Sequence, residues 1–492
     1  MARPQAGALP GTGPGVSGSR PGHVLLAQRL AEFAVDAQRN SPPAAAMEAA
    51  CLRLLDGVGA ALAALDARSV VQPRAAFALF GADGPASAIG RQRPCAVAAA
   101  ALHNGLLMHG LEFDDTHVRG VVHGAPVVLP AVLAAAEQQG QSGLAVLRAI
   151  CVGWEVLARI GAALRGDLQR HGFQATSVAG PLAAAAAVAC LSGLDPRRTT
   201  DALGIAGSQS SGIFEFLHAG ATSKALHGGW AALGGLVAAA LAADGMTGPA
   251  SILEGANGLF AAFGRNPAIA ERMEHQLADL GERWAVCESR PKTAPCCHYI
   301  QAFLEAVDTL LRSGINAADM RAIRCIVDPR QAQLICEPWE QKLDPPTGYA
   351  AKWSLPLCVA ARALGRQVDV AFFESPFDVE VLAFARRIDW AAQEDGFPDR
   401  YSGRVVVTLA DGRSREAYVA DVLGAADRPF PQDALVRKAR DAALVALPAP
   451  EAAGLIDAVL SLQHAPSLAR LGGYLRNARA GVPRTATEME SA

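Results

Sequence analysis

Gly172–Leu194 reads GFQATSVAGPLAAAAAVACLSGL, and Ala225–Ala243 reads ALHGGWAALGGLVAAALAA. Both stretches are uncharged and long enough to cross a bilayer. Both are built from Ala and Gly, however, with Gln174, Pro181 and His227 inside. Ala and Gly partition weakly into lipid, whereas small side chains let helices approach closely. The two stretches therefore read as central helices of a large soluble bundle, with no membrane partner. Working outward, LLAQRLAEFAVDA, MEAACLRLLDGVGAALAAL, LAVLRAICVGWEVLARIGAAL and PVVLPAVLAAAEQQG repeat apolar residues at three and four, and Gly or Asp-Pro closes such runs. Pro126 opens the last of them, a favoured first-turn residue.

The text changes after Trp284. CESRPKTAPCCHY is Pro-rich and irregular; a helix, AFLEAVDTLLRSG, and a β-branched run, MRAIRCIVDP, follow. GRVVVTLADGRSREAYV alternates and places Asp411-Gly412 at its centre, which reads as a hairpin. The tail returns to helix. The expected fold class is mainly α: a large all-helical domain formed by both chain ends, residues 25–287 plus 428–485, with a smaller α/β lid domain, 288–427, inserted. Residues 1–24 are expected to be a disordered extension. Its GxGxxG, Gly13 to Gly18, has no strand before it and is not a dinucleotide site.

Composition narrows the function. Hydrophobic residues are 51% and charged residues only 18%, which points to surface used in an oligomer. Lys and Arg number 44 against 47 Asp and Glu, a net charge of −3, so no basic stripe is left for nucleic acid. Ten scattered cysteines without a CxxC read as reduced thiols of a cytoplasmic protein without a targeting segment.

Chemistry concentrates in HGLEFDDTH, residues 109–117, with His123 six residues on. Three readings fit it: a polar helix end whose Asp side chains cap the next helix, a metal site lacking any HExxH-like spacing, or metal-free acid/base chemistry. In GATSKALHGG, residues 220–229, Thr222 or Ser223 caps a helix and Lys224 sits in its first turn, against the dipole, with His227 one turn on. An anion to be bound and a solvent-exposed lysine are equal readings. RPKTAPCCH, residues 290–298, is a stiff loop at the domain junction, and its thiols read as buried and inert.

HGLEFDDTH with His123 and PVVLPAVLAAAE, then GFQATSVAGPLAAAAAVACLSGLD, the Lys224/His227 segment, ILEGANGLF, KTAPCCHY and AKWSLPLCVA resemble, in order, the MmgE/PrpD family over about residues 25–480. The resemblance implies a homodimer, no metal or organic cofactor, and a site between the domains. The family's signature acid, threonine, following histidine and lysine match Glu112, Thr116, His123 and Lys224, and its lid-loop lysine matches Lys292. Here Glu112 replaces the usual Asp, Gln174 and Cys297 stand at histidine positions, and Gln301 sits where a histidine is common. The expected activity is cofactor-independent lysis, of the dehydratase type, of a small di- or tricarboxylate. Epimerase, decarboxylase of the cis-aconitate type and carboxylate-binding homologue are the alternatives. His123 is expected to move the proton, Asp115 or Glu112 to orient it or serve as the partner acid, Lys224 and Lys292 to clamp carboxylates, and Thr116 and His227 to add hydrogen bonds.

Overall fold

A computed structural model describes residues 24–374, 376–425 and 427–481, so the expected N-terminal extension, its GxGxxG and the last residues of the tail lie outside the described residues. The described residues form 22 α-helices and six short strands, a mainly α protein. Two hydrophobic cores organise them. The first gathers buried side chains from Leu26 to Val286 and again from Ala439 to Ala478. The second takes Val118 and Phe216, then Ala294 to Val422.

The first core depends on missing side chains. Helices Val97–Gly110 and Lys224–Ala243 cross so closely that a Cβ on Gly105 would stand 2.5 Å from Gly229 Cα. A Cβ on Gly235 would meet Ala184 of helix Ala175–Leu191 at 2.4 Å. Lys224–Ala243 is the described helix long and apolar enough to cross a membrane, yet its small-residue faces are spent on these crossings. The crossing at Gly105 and Gly229 also brings the first residue of one helix, Lys224, beside the loop that leaves the other. Helices Gln432–Leu444, Ala449–Leu460 and Ala469–Asn477 close the same core from the C-terminal side.

Six strands serve the second core and its attachment: β1 (Thr116–His117), β2 (Ser289–Arg290), β3 (Met320–Val327), β4 (Ile388–Ala392), β5 (Gly403–Leu409) and β6 (Ser414–Val419). The last four make one sheet in the order β4-β3-β5-β6, parallel between β3 and β4 and antiparallel elsewhere. Gly412 turns the β5–β6 hairpin at φ +86°, a conformation open to glycine. Helix His298–Arg312 packs its apolar face on β5 and β6. Residues 378–388, DVEVLAFARRI, divide into helix Val379–Ala385 and the start of β4. The β1–β2 ladder, Thr116 opposite Arg290 and His117 opposite Ser289, fastens the loop after helix Val97–Gly110 to the chain entering the second core.

Candidate active site

The loop between helices Val97–Gly110 and Ala125–Gln139 carries most of the site. Two of its residues, Glu112 (φ 56°) and Val121 (φ 52°), are held in the left-handed region, where a side chain costs about 1–3 kcal/mol. Both line a cavity of about 580 Å³ between the two cores. Thr116, His123, Gln174, Lys224 and Cys297 line it too, so six of the nine side chains singled out by sequence meet there.

His123 is held from several sides. Its backbone N–H donates to Thr176 Oγ1 at 3.1 Å, and its Nδ1 lies 2.8 Å from the Asp115 carbonyl and 3.3 Å from Thr116 Oγ1. A carbonyl only accepts, so Nδ1 carries the proton and the lone pair sits on Nε2, which has no hydrogen-bond partner among the described residues. Burial lowers this imidazole to about 3, with Lys224 and Lys292 acting in the same direction against Asp114. His123 is therefore neutral at ordinary pH. Gly124 beside it leaves no room for a Cβ, which would strike the Trp154 ring at 2.1 Å.

Behind His123 lies a buried charge cluster. Lys224 Nζ donates to both carboxylate oxygens of Glu112 at 2.6 Å and stands 4.6 Å over the Trp353 ring. Tyr349 donates to Glu112 Oε1 at 3.2 Å. Burial alone would raise Glu112, but Lys224 and Lys292 outweigh it and hold the carboxyl at about 2. Asp114 Oδ2 lies 2.8 Å from His109 Nδ1 and 3.5 Å from His123 Nδ1. Burial raises Asp114 as well, and His109, His123 and Lys292 together depress it well below the carboxylate range.

Three expected site residues are placed elsewhere. The Asp115 carboxylate accepts from Ala125 N at 3.0 Å, from Trp154 Nε1 at 3.3 Å and from Ser289 Oγ. It holds the start of the next helix and β2, and only its carbonyl reaches His123. Lys292 is fully buried, donates to the Glu112 carbonyl at 3.0 Å, and braces the cluster from behind without reaching the cavity wall. His227 turns its ring edge to Phe216, at 5.7 Å, and lines a separate cavity with Ser177 and Trp230. The N-cap of its helix is Ser223, whose hydroxyl makes no capping bond, as its backbone is itself helical.

The replaced histidine positions have local work. Gln174 caps helix Ala175–Leu191, accepting from Ser177 N at 2.8 Å. Gln301 accepts from Thr293 N and Ala294 N, both at 3.1 Å, and so braces the loop that carries Lys292. The Cys297 thiol is pushed by burial to about 12 and is inert as a nucleophile. Among the described residues no three His, Cys, Asp or Glu side chains gather into a metal-holding group. Sequence reasoning passed over Tyr299, Trp353 and Tyr401, which also wall the cavity, and Arg165, Arg170 and Arg330 at its rim. Tyr299 and Trp353 fall inside quoted motifs; Tyr401 and the arginines have no local signal at all.

The chain is 30% identical over 458 residues to the cis-aconitate decarboxylase of Aspergillus terreus (strain NIH 2624 / FGSC A1156), covering 88% of this chain and 92% of that one. It is also 30% identical over 467 residues to the cis-aconitate decarboxylase-like protein oryM of Aspergillus oryzae (strain ATCC 42149 / RIB 40), covering 90% and 95%. Human cis-aconitate decarboxylase is 36% identical over 161 residues, 32% of this chain and 33% of its own. With such relatives, the chain is of the class of lyase-type carboxylate enzymes. Residues 28–272 match the MmgE/PrpD N-terminal domain and residues 294–464 the MmgE/PrpD C-terminal domain, and the chain belongs to the MmgE/PrpD family.

Proposed function

We propose that this protein is a lyase that takes a proton from a carbon beside a carboxylate of a small di- or tricarboxylate, with His123 Nε2 as the base. The observation that carries the reading is the fixed tautomer of His123, a neutral imidazole on the cavity whose proton is committed to the Asp115 carbonyl. In this reading, abstraction leaves an enediolate beside Lys224, whose ammonium stabilises the developing charge. Thr116 and Gln174 hold the substrate carboxylate, and the Lys224–Glu112 pair returns a proton to the leaving hydroxide. Asp115 and Lys292 are positioning residues. All of these steps run on side chains of the chain, in a homodimer of the cytoplasm.

Decarboxylation is the second reading, favoured by the names of the relatives that match over most of the chain. There the C–C bond breaks, CO2 leaves, and the Lys224 ammonium on the cavity gives the resulting carbanion its proton, to be replaced from solvent. Proton NMR in D2O with citrate, 2-methylcitrate, malate and cis-aconitate separates the two. Vinyl signals from a hydroxy acid establish the hydro-lyase. Loss of CO2 from cis-aconitate establishes the decarboxylase. Deuterium exchange beside a carboxylate without a vinyl product establishes epimerisation, and silence across the panel refutes lyase action on these acids.

A further inference from the structure

The inner end of the cavity is already charge-compensated. Glu112 and Asp114 stand against Lys224 and Lys292, and no cation there is left over for several substrate carboxylates. At the rim Arg165 pairs with Asp399 at 2.6 Å and Arg330 with Asp328 at 2.8 Å, while Arg170 shares Asp167 with Arg272. Between the two ends runs an aromatic wall. Tyr299 meets Phe397 edge-on at 5.3 Å and Tyr401 at 4.9 Å, and Phe397 stacks on Tyr401 at 5.6 Å. Phe214 and Trp353 add two more rings to the lining.

Size points the same way. A cavity of about 580 Å³ has room for on the order of twenty waters. A bare six-carbon tricarboxylate, with roughly a dozen non-hydrogen atoms, leaves a large part of it unfilled against aromatic faces. Phe214, Leu334 and Phe397 keep half-buried faces on this lining, with Tyr299, Trp353 and Tyr401 buried behind them, and covering those remaining faces with an apolar group is favourable.

We propose that the substrate is a carboxylic acid bearing an apolar substituent of about four to six carbons, seated against Phe397, Phe214 and Leu334 at the exposed face of the aromatic wall while its carboxylate end reacts at His123. The proposal rests on the lyase reading above and names the substrate class of that same cavity.

The test is kcat/KM across 2-alkylcitrates and 2-alkylmalates from hydrogen to hexyl. Each buried methylene contributes about 0.8 kcal/mol, so kcat/KM is expected to rise roughly fourfold per carbon until the wall is covered. In Phe397→Asp, and separately in Leu334→Asp at the half-buried edge, the slope of log kcat/KM against chain length collapses, whatever the absolute rate. A flat or falling series in the native enzyme, with the unsubstituted acid turned over best, overturns the proposal and leaves the lyase reading standing. An unchanged slope in both variants overturns the placement on this wall. If no member is converted and none binds by calorimetry, the lyase reading falls and the proposal with it.

Discussion

Two buried charge networks in this molecule each set carboxylates against cations and end differently. In the helical core, Arg159 spends every guanidinium nitrogen: Nε on Glu155 at 2.7 Å, Nη1 on Asp279 at 2.6 Å and on the Gln276 carbonyl, Nη2 on the Arg283 carbonyl at 2.9 Å. Glu155 in turn accepts from Ala285 N. At the cavity, Glu112, Asp114, Lys224 and Lys292 compensate one another in charge, yet Asp114 Oδ1 and His109 Nε2 have no hydrogen-bond partner among the described residues. His123 Nε2 beside them is also uncommitted. A saturated network holds elements together. One that leaves an acceptor, His123 Nε2, uncommitted on a cavity has capacity left for a substrate.

Each network makes predictions by which the contrast breaks or sharpens. The largest effect is expected for His123→Ala: kcat/KM falls by about 10³-fold with the melting temperature little changed, because its ring holds no helix in place. Activity within tenfold of the native enzyme in steady-state assays removes His123 as the base. Arg159→Met leaves Glu155 buried and unpaired, so denaturant titration should show a loss of about 3–5 kcal/mol, with kcat of the folded fraction unchanged. A selective loss of kcat in that variant would erase the contrast.

Next in size is a pH effect. His123 is held at about 3, below its ordinary 6.5, and Glu112 at about 2, below 4.5. Between those values the unfolded chain binds protons that the folded chain does not, so stability falls as pH drops. The His123 contribution is lost from about 6.5 downward and that of Glu112 from about 4.5 downward. Thermal melts from about pH 7 to about pH 5 should fall more steeply for the native protein than for His123→Gln. Parallel curves contradict the depressed imidazole. The smallest effect is expected for Gln174→Ala, about 1 kcal/mol from a lost helix cap, with KM rising more than kcat falls. A change in kcat alone would make Gln174 part of the proton transfer rather than of binding.

Much of this fold was legible because its long helices are punctuated. Leu26–Arg39, Gly143–Leu164 and Ala125–Gln139 follow their apolar spacing, and Asp411-Gly412 marks its hairpin unambiguously. Helix Val97–Gly110 left no such trace, since it is buried nearly all round and shows no polar face. DVEVLAFARRI carries apolar residues that suit a helix end and a strand start equally, and tertiary packing divides it. In the site, the loop from Glu112 to His123 was visible as a crowd of carboxylates and imidazoles. Its division of labour was not. Asp114 and Asp115 are adjacent and chemically identical, yet one faces the imidazoles while the other caps the helix at Ala125, a difference set by backbone direction. Tyr401 reaches the cavity from far along the chain and donates to the Val118 carbonyl at 3.3 Å, which no local pattern announces.

The contact of Gly105 with Gly229 has a consequence for how this protein tolerates change over generations. Neither residue touches the cavity, and an Ala at either would pass for the mildest of substitutions. Yet a methyl there meets backbone, at 2.5 Å from Gly105 and 2.6 Å from Gly229, and must lever apart the two helices that bring Lys224 to Glu112. The reactive geometry is thus inherited partly as two absent side chains, and a lineage that fills them loses its site while every charged residue in it stays intact.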